Sequence, residues 1–271
     1  MSVESINFIK AHAYGNDFLF IEEWEEQELA DASSAAIWAR AICDRHSGIG
    51  ADGLIFYRRT PLGAAMKLFN ADGSVAEVSG NGVRCLAAIV AEESSGEIVI
   101  ETEGGVKTLK LLDTASPRST FRAFMGEPQG LEQRQIEVAG ARIDVVVLSV
   151  GNPQCIVLTP TLDEVRFAEL GPALATHEVF PEGTNVEFVE VERPDRVRIL
   201  IWERGVGPTT ASGTGACASA VAAAAFGGAA RTIEVVSPGG AQQVEWRSDG
   251  IYLTGWAELA GKGVWLNPPG V

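Results

Sequence analysis

One tetrapeptide occurs twice in a matched setting. Ser79-Gly80-Asn81-Gly82 opens the apolar run 82–93, and Ser212-Gly213-Thr214-Gly215 opens the apolar run 215–226, 133 residues further on. Nine residues before each serine a polar residue closes a β-rich run: Asn70 in FNADGS and Glu203 in WERGVG. Serine is a preferred helix N-cap and glycine lets the backbone turn tightly, so both tetrapeptides read as turns entering helices. A repeat at that distance in a chain of 271 residues points to two similar halves, which the length also favours.

Strand-like runs dominate between these landmarks. They fall at 6–9, 18–21, 53–57, 65–69, 97–101, 106–112, 120–125 and 142–149, then at 155–158, 185–191, 196–202, 231–236, 243–247 and 251–256. Helical patterns are confined to 34–45, 82–93, 162–175 and 215–226. A Pro/Ser-bearing segment at 113–119 and a glycine turn region at 126–130 place a domain boundary near the midpoint. The uncharged stretch 205–230 has the length of a membrane span. Its residues are mostly Gly, Ala, Ser and Thr, whose transfer energy is small, so a loop followed by a buried small-residue helix is expected instead.

The formal charge of −15 repels phosphate backbones and anionic membrane surfaces, which argues against nucleic-acid and membrane partners. The opening MSVESINFIK lacks the basic and apolar regions of a secretory signal, and Cys43, Cys85, Cys155 and Cys217 show no metal-type spacing. A reducing cytoplasm fits these features.

A helix N-terminus presents unpaired N–H groups and a partial positive charge, and glycines just before it let an anion reach the backbone. Two such turns facing across a cleft could hold a carboxylate and disperse the charge that develops as the adjacent carbon loses its proton. Neither turn gives the G-x-x-x-x-G-K-[S/T] of a phosphate loop or completes G-x-G-x-x-G, so nucleotide binding is disfavoured.

A series of short motifs runs along nearly the whole chain. In order they are Ala13-Tyr-Gly-Asn-Asp-Phe18, Asp44-Arg-His-Ser-Gly-Ile-Gly-Ala-Asp52, Phe69-Asn-Ala-Asp-Gly-Ser74 and Ser79-Gly-Asn-Gly-Val-Arg-Cys85. Gly151-Asn-Pro-Gln154, Gly183-Thr-Asn185, Trp202-Glu-Arg-Gly-Val-Gly207, Ser212-Gly-Thr-Gly-Ala-Cys217 and Ser237-Pro-Gly-Gly240 follow. Together these motifs resemble the diaminopimelate epimerase family, and the resemblance implies an α+β fold of two similar, pseudo-symmetric domains, each a mostly antiparallel sheet wrapped around a central helix. The domains would be 1–120 with a returning C-terminal strand at 264–271, and 121–263. It implies a cofactor-independent, metal-free epimerase of lysine and cell-wall precursor synthesis. Its partner is a small amino acid, and a second copy of the chain is the protein partner to consider. By motif, the substrate contacts fall on Asn16, Asn70, Asn152 and Asn185, with the turn amides of Gly80, Asn81, Gly213 and Thr214 on the α-carboxylate and Arg204 as a clamp.

The catalytic positions depart from the family pattern. Ser79 and Ser212 stand where the resemblance implies two catalytic cysteines, Gln154 where it implies a histidine, and Pro208 where a glutamate usually follows ERGxG. A thiol exchanges protons near neutral pH far more readily than a serine hydroxyl. Altering the histidine position together with both cysteines suits a naturally divergent member rather than an inactivated laboratory variant. Cys85 and Cys217 lie inside the helices and read as structural thiols, leaving Glu203 as the strong candidate base. Three functions follow: a two-face epimerase using Ser79, Ser212, Glu203 and Gln154; an isomerase of the phenazine-biosynthesis type driven by Glu203 alone; or an amino-acid-binding homologue without proton transfer.

Overall fold

In a computed structural model, the structure describes residues 5–22, 32–91, 96–138 and 140–266, with the backbone alone at 32 and 33. The chain divides into two units, Met1–Arg122 with Trp256–Val271, and Ala123–Gly255. The first unit contains β1 (Ser5–Ala13), β2 (Asn16–Glu22), α1 (Ala32–Cys43), β3 (Gly53–Thr60), β4 (Gly63–Asn70), β5 (Val75–Ala76), α2 (Gly80–Val90), β6 (Glu97–Thr102) and β7 (Gly105–Ala115). It continues into β8 (Arg118–Gly126), where the second unit begins, and β9 (Gln129–Val138) follows. The second unit then repeats the order: β10 (Ala141–Ser149), β11 (Pro153–Leu158), α3 (Glu164–Ala175), β12 (Asn185–Arg193), β13 (Arg196–Glu203), β14 (Gly207–Thr209), α4 (Gly213–Phe226), β15 (Thr232–Ser237), β16 (Gly240–Arg247) and β17 (Gly250–Leu266).

The pairing repeats as well. β1–β2, β3–β4 and β6–β7 are antiparallel while β2–β3 and β4–β6 are parallel. In the second unit β10–β11, β12–β13 and β15–β16 are antiparallel, and β11–β12 and β13–β15 are parallel. Each parallel step needs a long crossover, and a helix supplies it every time. This is the α+β arrangement of two similar, mostly antiparallel halves that the resemblance implies.

α2 packs against β1, β2, β4, β6 and β7, and α4 against β10 to β13, β15 and β16, so each is the central helix of its sheet. The sequence of α4 explains its position. Ala216, Cys217, Ala218, Ala220, Val221, Ala222 and Ala223 are all buried, and a helix that is apolar on every face belongs inside. Its small side chains let the strands approach closely, and Ile156, Val189, Ile199 and Val235 close over them. α1 and α3 cover the other side of the sheets: Trp38, Ala39 and Ile42 meet Leu19, Leu54 and Phe56, while Phe167, Leu170 and Leu174 meet Val186 and Phe188.

Two local expectations change. Residues 131–138 belong to β9, although Glu132, Arg134 and Glu137 break any apolar alternation there. β10 recruits them by pairing from Ala141↔Val138 to Ser149↔Gln129, a tertiary effect that the local pattern does not encode. The expected strand 251–256 runs on to Leu266 within β17, whose start pairs with β16 and whose later part pairs with β1 from His12↔Glu258 to Ser5↔Leu266. Residues 267–271 of the expected C-terminal strand, and 92–93 of the expected helix, lie outside the described residues. The uncharged stretch forms β14 and the buried α4, and among the described residues no helix is long and apolar enough to cross a membrane.

Candidate active site

Both tetrapeptides cap their helices in the same way. Ser79 is extended (φ −128°, ψ 121°) and its Oγ accepts from the Gly82 amide at 3.2 Å. Ser212 is extended (φ −136°, ψ 130°) and its Oγ accepts from the Gly215 amide at 3.1 Å. Each cap uses the oxygen as an acceptor and leaves the hydroxyl proton free to donate.

In the first unit a polar chain leads up to the α2 turn. The β1–β2 hairpin places Tyr14 and Gly15 at φ 56° and 87°, the double positive φ of a type I′ turn. Tyr14 tolerates this rare conformation because its ring lies 4.4 Å from the Trp256 ring and its hydroxyl accepts from the Trp256 amide at 3.1 Å. The turn delivers Asn16, whose Nδ2 donates to Asp52 Oδ2 at 2.7 Å while its Oδ1 accepts from Asn81 Nδ2 at 3.2 Å. Buried Arg84 donates to Asn81 Oδ1 at 3.4 Å, so the Asn81 amide is fixed from both ends. Arg45 bridges Asp52 and Asp17 at 2.9 and 2.7 Å. Burial raises the Asp17 carboxyl, but hydrogen bonds from Arg45 and Lys10 outweigh it and hold the group below its ordinary value. Gly80 has open space where a side chain would stand. Asn70 is exposed at the end of β4 and donates to Ser74 Oγ at 2.9 Å, so it does not join this chain.

The α4 turn is more acidic. Glu203, at the end of β13, shares a hydrogen bond with Ser212 and is faced by the Thr209 hydroxyl. Burial pushes its carboxyl up and the two hydroxyls offset part of that rise. Beneath the turn lies Glu187, which is fully buried. Burial first, and the charge of Glu203 second, raise it well above the ordinary carboxylate range. A side chain at Gly215 would collide with Glu187 Oε1, so glycine is what lets this carboxyl reach the first turn of α4. Gln154 joins the site through its amide, whose nitrogen donates to both Glu187 oxygens at 3.1 Å and whose oxygen accepts from Asn185 Nδ2 at 3.1 Å. Asn185 Oδ1 accepts from the Arg204 amide at 2.9 Å, and the exposed Arg204 guanidinium donates to Glu182 O at 2.9 Å. Thr214 Oγ1 stands 3.5 Å from Ser212 Oγ. Gly213 packs close to Leu253.

Strand register turns the repeat into a residue-level comparison. Leu54 and Val186, each the second residue of its strand, pair with Phe69 and Trp202, so Asn70 and Glu203 are the matching last residues of β4 and β13. Phe18 pairs with Gly53 where Gln154 pairs with Asn185, which puts Ile55 at the position of Glu187. One turn therefore rests on Ile55 and the other on Glu187. Asp52 and Arg84 lie within motifs but receive no role from them, and Glu187 lies outside every motif. The available signal for Glu187 is strand alternation, which puts it on the same face as Asn185.

All four cysteines are buried, and burial raises the thiols of Cys43, Cys85 and Cys155, that of Cys43 to about 12. Among the described residues no three His, Cys, Asp or Glu side chains converge as a metal set.

The arrangement defines a class before it defines a family. The fold matches that of a hydroxyproline epimerase from Agrobacterium vitis, with a TM-score of 0.72 and 15% identity over 99% of this chain and 95% of that one. It also matches a phenazine biosynthesis protein from Bacillus anthracis, with a TM-score of 0.68 and 13% identity over 97% and 99% of the two chains. The protein thus has the two-unit α+β fold that an epimerase and a phenazine biosynthesis protein share. The sequence model of diaminopimelate epimerase matches residues 8–131 and 146–260. Diaminopimelate epimerases of Desulfitobacterium hafniense and Desulforudis audaxviator are 39% and 40% identical to it, over 96% of this chain and 98% and 99% of theirs. The chain belongs to the diaminopimelate epimerase family.

Proposed function

We propose that the protein interconverts LL- and meso-diaminopimelate by cofactor-free transfer of the α-proton, in the cytoplasm and on the route to lysine and peptidoglycan precursors. The observation that carries this reading is the α4 turn, where a capped helix N-terminus, the Ser212 hydroxyl and the Glu203 carboxyl meet. The amides of Gly80, Asn81, Gly213 and Thr214 donate to the α-carboxylate, because helix N-termini stabilise the negative charge that grows when the α-carbon is deprotonated. Asn16, Asn70, Asn152 and Asn185 bind the remaining polar groups of the zwitterion and Arg204 holds a carboxylate. Ser212 with Glu203 works one face of the α-carbon and Ser79 the other, with Gln154 supporting the site. A carboxyl raised above its ordinary value both takes and returns a proton more readily near neutral pH than an exposed glutamate does.

The test is incubation of each diaminopimelate isomer in heavy water. Deuterium enters the α-carbon with inversion if both faces work. One observation favours a second reading, an isomerase in which Glu203 alone moves the proton: Asn70 occupies in the first unit the register position of Glu203. Exchange without inversion, or migration of a double bond in an unsaturated substrate, selects that reading. Saturable binding without any exchange reduces the protein to an amino-acid-binding homologue.

Because the sequence supplies no clustered metal ligands, the activity is expected to survive exhaustive dialysis against a chelator. Loss on dialysis and recovery with one particular metal overturns that expectation.

A further inference from the structure

We propose that Gln154 is a positioning residue for Ser212: its amide oxygen takes the single proton of the Thr214 hydroxyl and so keeps a lone pair of Ser212 Oγ open to the α-proton of a substrate. The proposal rests on the substrate reading above for the reaction, but not for the order of hydrogen bonds around Gln154.

One backbone amide sets that order. The Arg204 N–H donates to Asn185 Oδ1 at 2.9 Å, so Asn185 turns Nδ2 towards Gln154. An amide nitrogen donates and does not accept, so Gln154 answers with its oxygen, at 3.1 Å, and its own nitrogen is left to donate to both Glu187 oxygens at 3.1 Å. Gln154 is buried, which keeps its amide from turning to solvent instead. The Asn152 side-chain amide, 2.7 Å from the same Gln154 oxygen, directs its nitrogen there as well. Thr214 Oγ1 stands 3.3 Å from that oxygen and 3.5 Å from Ser212 Oγ. A hydroxyl has one proton to give. The amide oxygen receives it, because it is nearer and can only accept, whereas Ser212 Oγ carries a proton of its own.

The consequence falls on Ser212. Its Oγ accepts from the Gly215 amide at 3.1 Å and donates its proton to the Glu203 carboxylate, which leaves one lone pair unused. Deprotonation of a substrate then balances as a relay. The α-C–H bond breaks and its electron pair stays on the α-carbon beside the carboxylate. The proton bonds to the open lone pair of Ser212 Oγ, and the original hydroxyl proton passes to Glu203. A Thr214 hydroxyl turned to Ser212 would fill that lone pair and leave the α-proton no acceptor on this oxygen.

The test measures kcat and KM for α-deuterium exchange of meso-diaminopimelate in Gln154→Met, Thr214→Val and the double variant. Methionine keeps the length of the side chain but offers the Thr214 hydroxyl no oxygen, so the hydroxyl turns to Ser212. Gln154→Met is expected to lower kcat about tenfold, the size of one misdirected hydrogen bond. The double variant has no hydroxyl to fill the lone pair, so it is expected to exceed Gln154→Met in kcat while KM stays where Gln154→Met puts it. A double variant as slow as Gln154→Met, or slower, overturns the proposal. A second arm needs no activity: in the full chain without ligand, the NMR signal of the Gln154 side-chain carbonyl carbon is expected to move upfield when Thr214→Val removes its donor. An unmoved signal overturns the proposal even if Gln154→Met does not fold. A moved signal in a parent protein that exchanges no α-proton keeps the order of hydrogen bonds and removes the substrate reading instead.

Discussion

Replacing Ser79 and Ser212 together by cysteine is expected to raise α-proton exchange by about 10²-fold, within the range that a positioned acid or base contributes. The helix caps give the reason. Each serine oxygen accepts a first-turn amide, Gly82 at 3.2 Å and Gly215 at 3.1 Å, in the partial positive charge of a helix N-terminus. A thiol placed there has its pKa lowered from about 8.5 towards neutrality, so a useful fraction is thiolate at pH 7, whereas serine supplies almost none. Adding Gln154→His is expected to increase exchange further, and the variants become sensitive to alkylation. Deuterium wash-in measured beside diaminopimelate affinity decides the matter. Variants that bind the amino acid yet exchange no faster than the parent leave Glu203 as the sole proton carrier.

The second large effect is structural. Gly215→Ala is expected to destabilise the protein by about 2 kcal/mol through overpacking, lowering the thermal midpoint by roughly 5 °C. Its new Cβ would sit against Glu187 Oε1 and 3.1 Å from Glu187 Cδ, and a fully buried carboxyl has nowhere to retreat. Gly82→Ala is the internal control. There the new Cβ would meet the tip of Ile55, Cδ1 at 2.9 Å, an aliphatic end that can swing aside, so the cost is smaller. Combining Gly215→Ala with Glu187→Ala is expected to restore part of the loss. Thermal unfolding of the parent, Gly215→Ala, Glu187→Ala and the double variant measures this coupling, and strict additivity contradicts the contact.

Much of the fold was legible because the repeat is written in local signals: a cap serine, paired glycines, and strands bounded by turns. β9 was not, since Glu132 and Arg134 carry no strand pattern and its order comes from the neighbouring β10. β17 read as a short strand because its apolar alternation fades after Ala257, where pairing with β1 takes over from burial. For the candidate site, motif positions singled out Asn16, Asn81, Gln154, Asn185 and Glu203. They gave no role to Asp52, which ends one motif, and did not reach Glu187, because the partners of both depend on which strand lies beside which. An acidic residue inside an apolar strand looks like a surface residue until its neighbours are known.

The two halves of β17 have different destinies during synthesis. Its first part pairs with β16 inside the second unit, and its last part supplies the partner strand of β1 at the very start of the first. On the ribosome, then, the unit that emerges first is the last to be completed: β1 must wait, one edge unpaired, until Glu258 to Leu266 have been made. Such an edge is a template for pairing with other chains. A truncation just short of residue 256 spares the contiguous second unit and exposes that edge permanently, so it is aggregation through β1, rather than loss of any proton-transfer group, that such a shortened chain has to contend with.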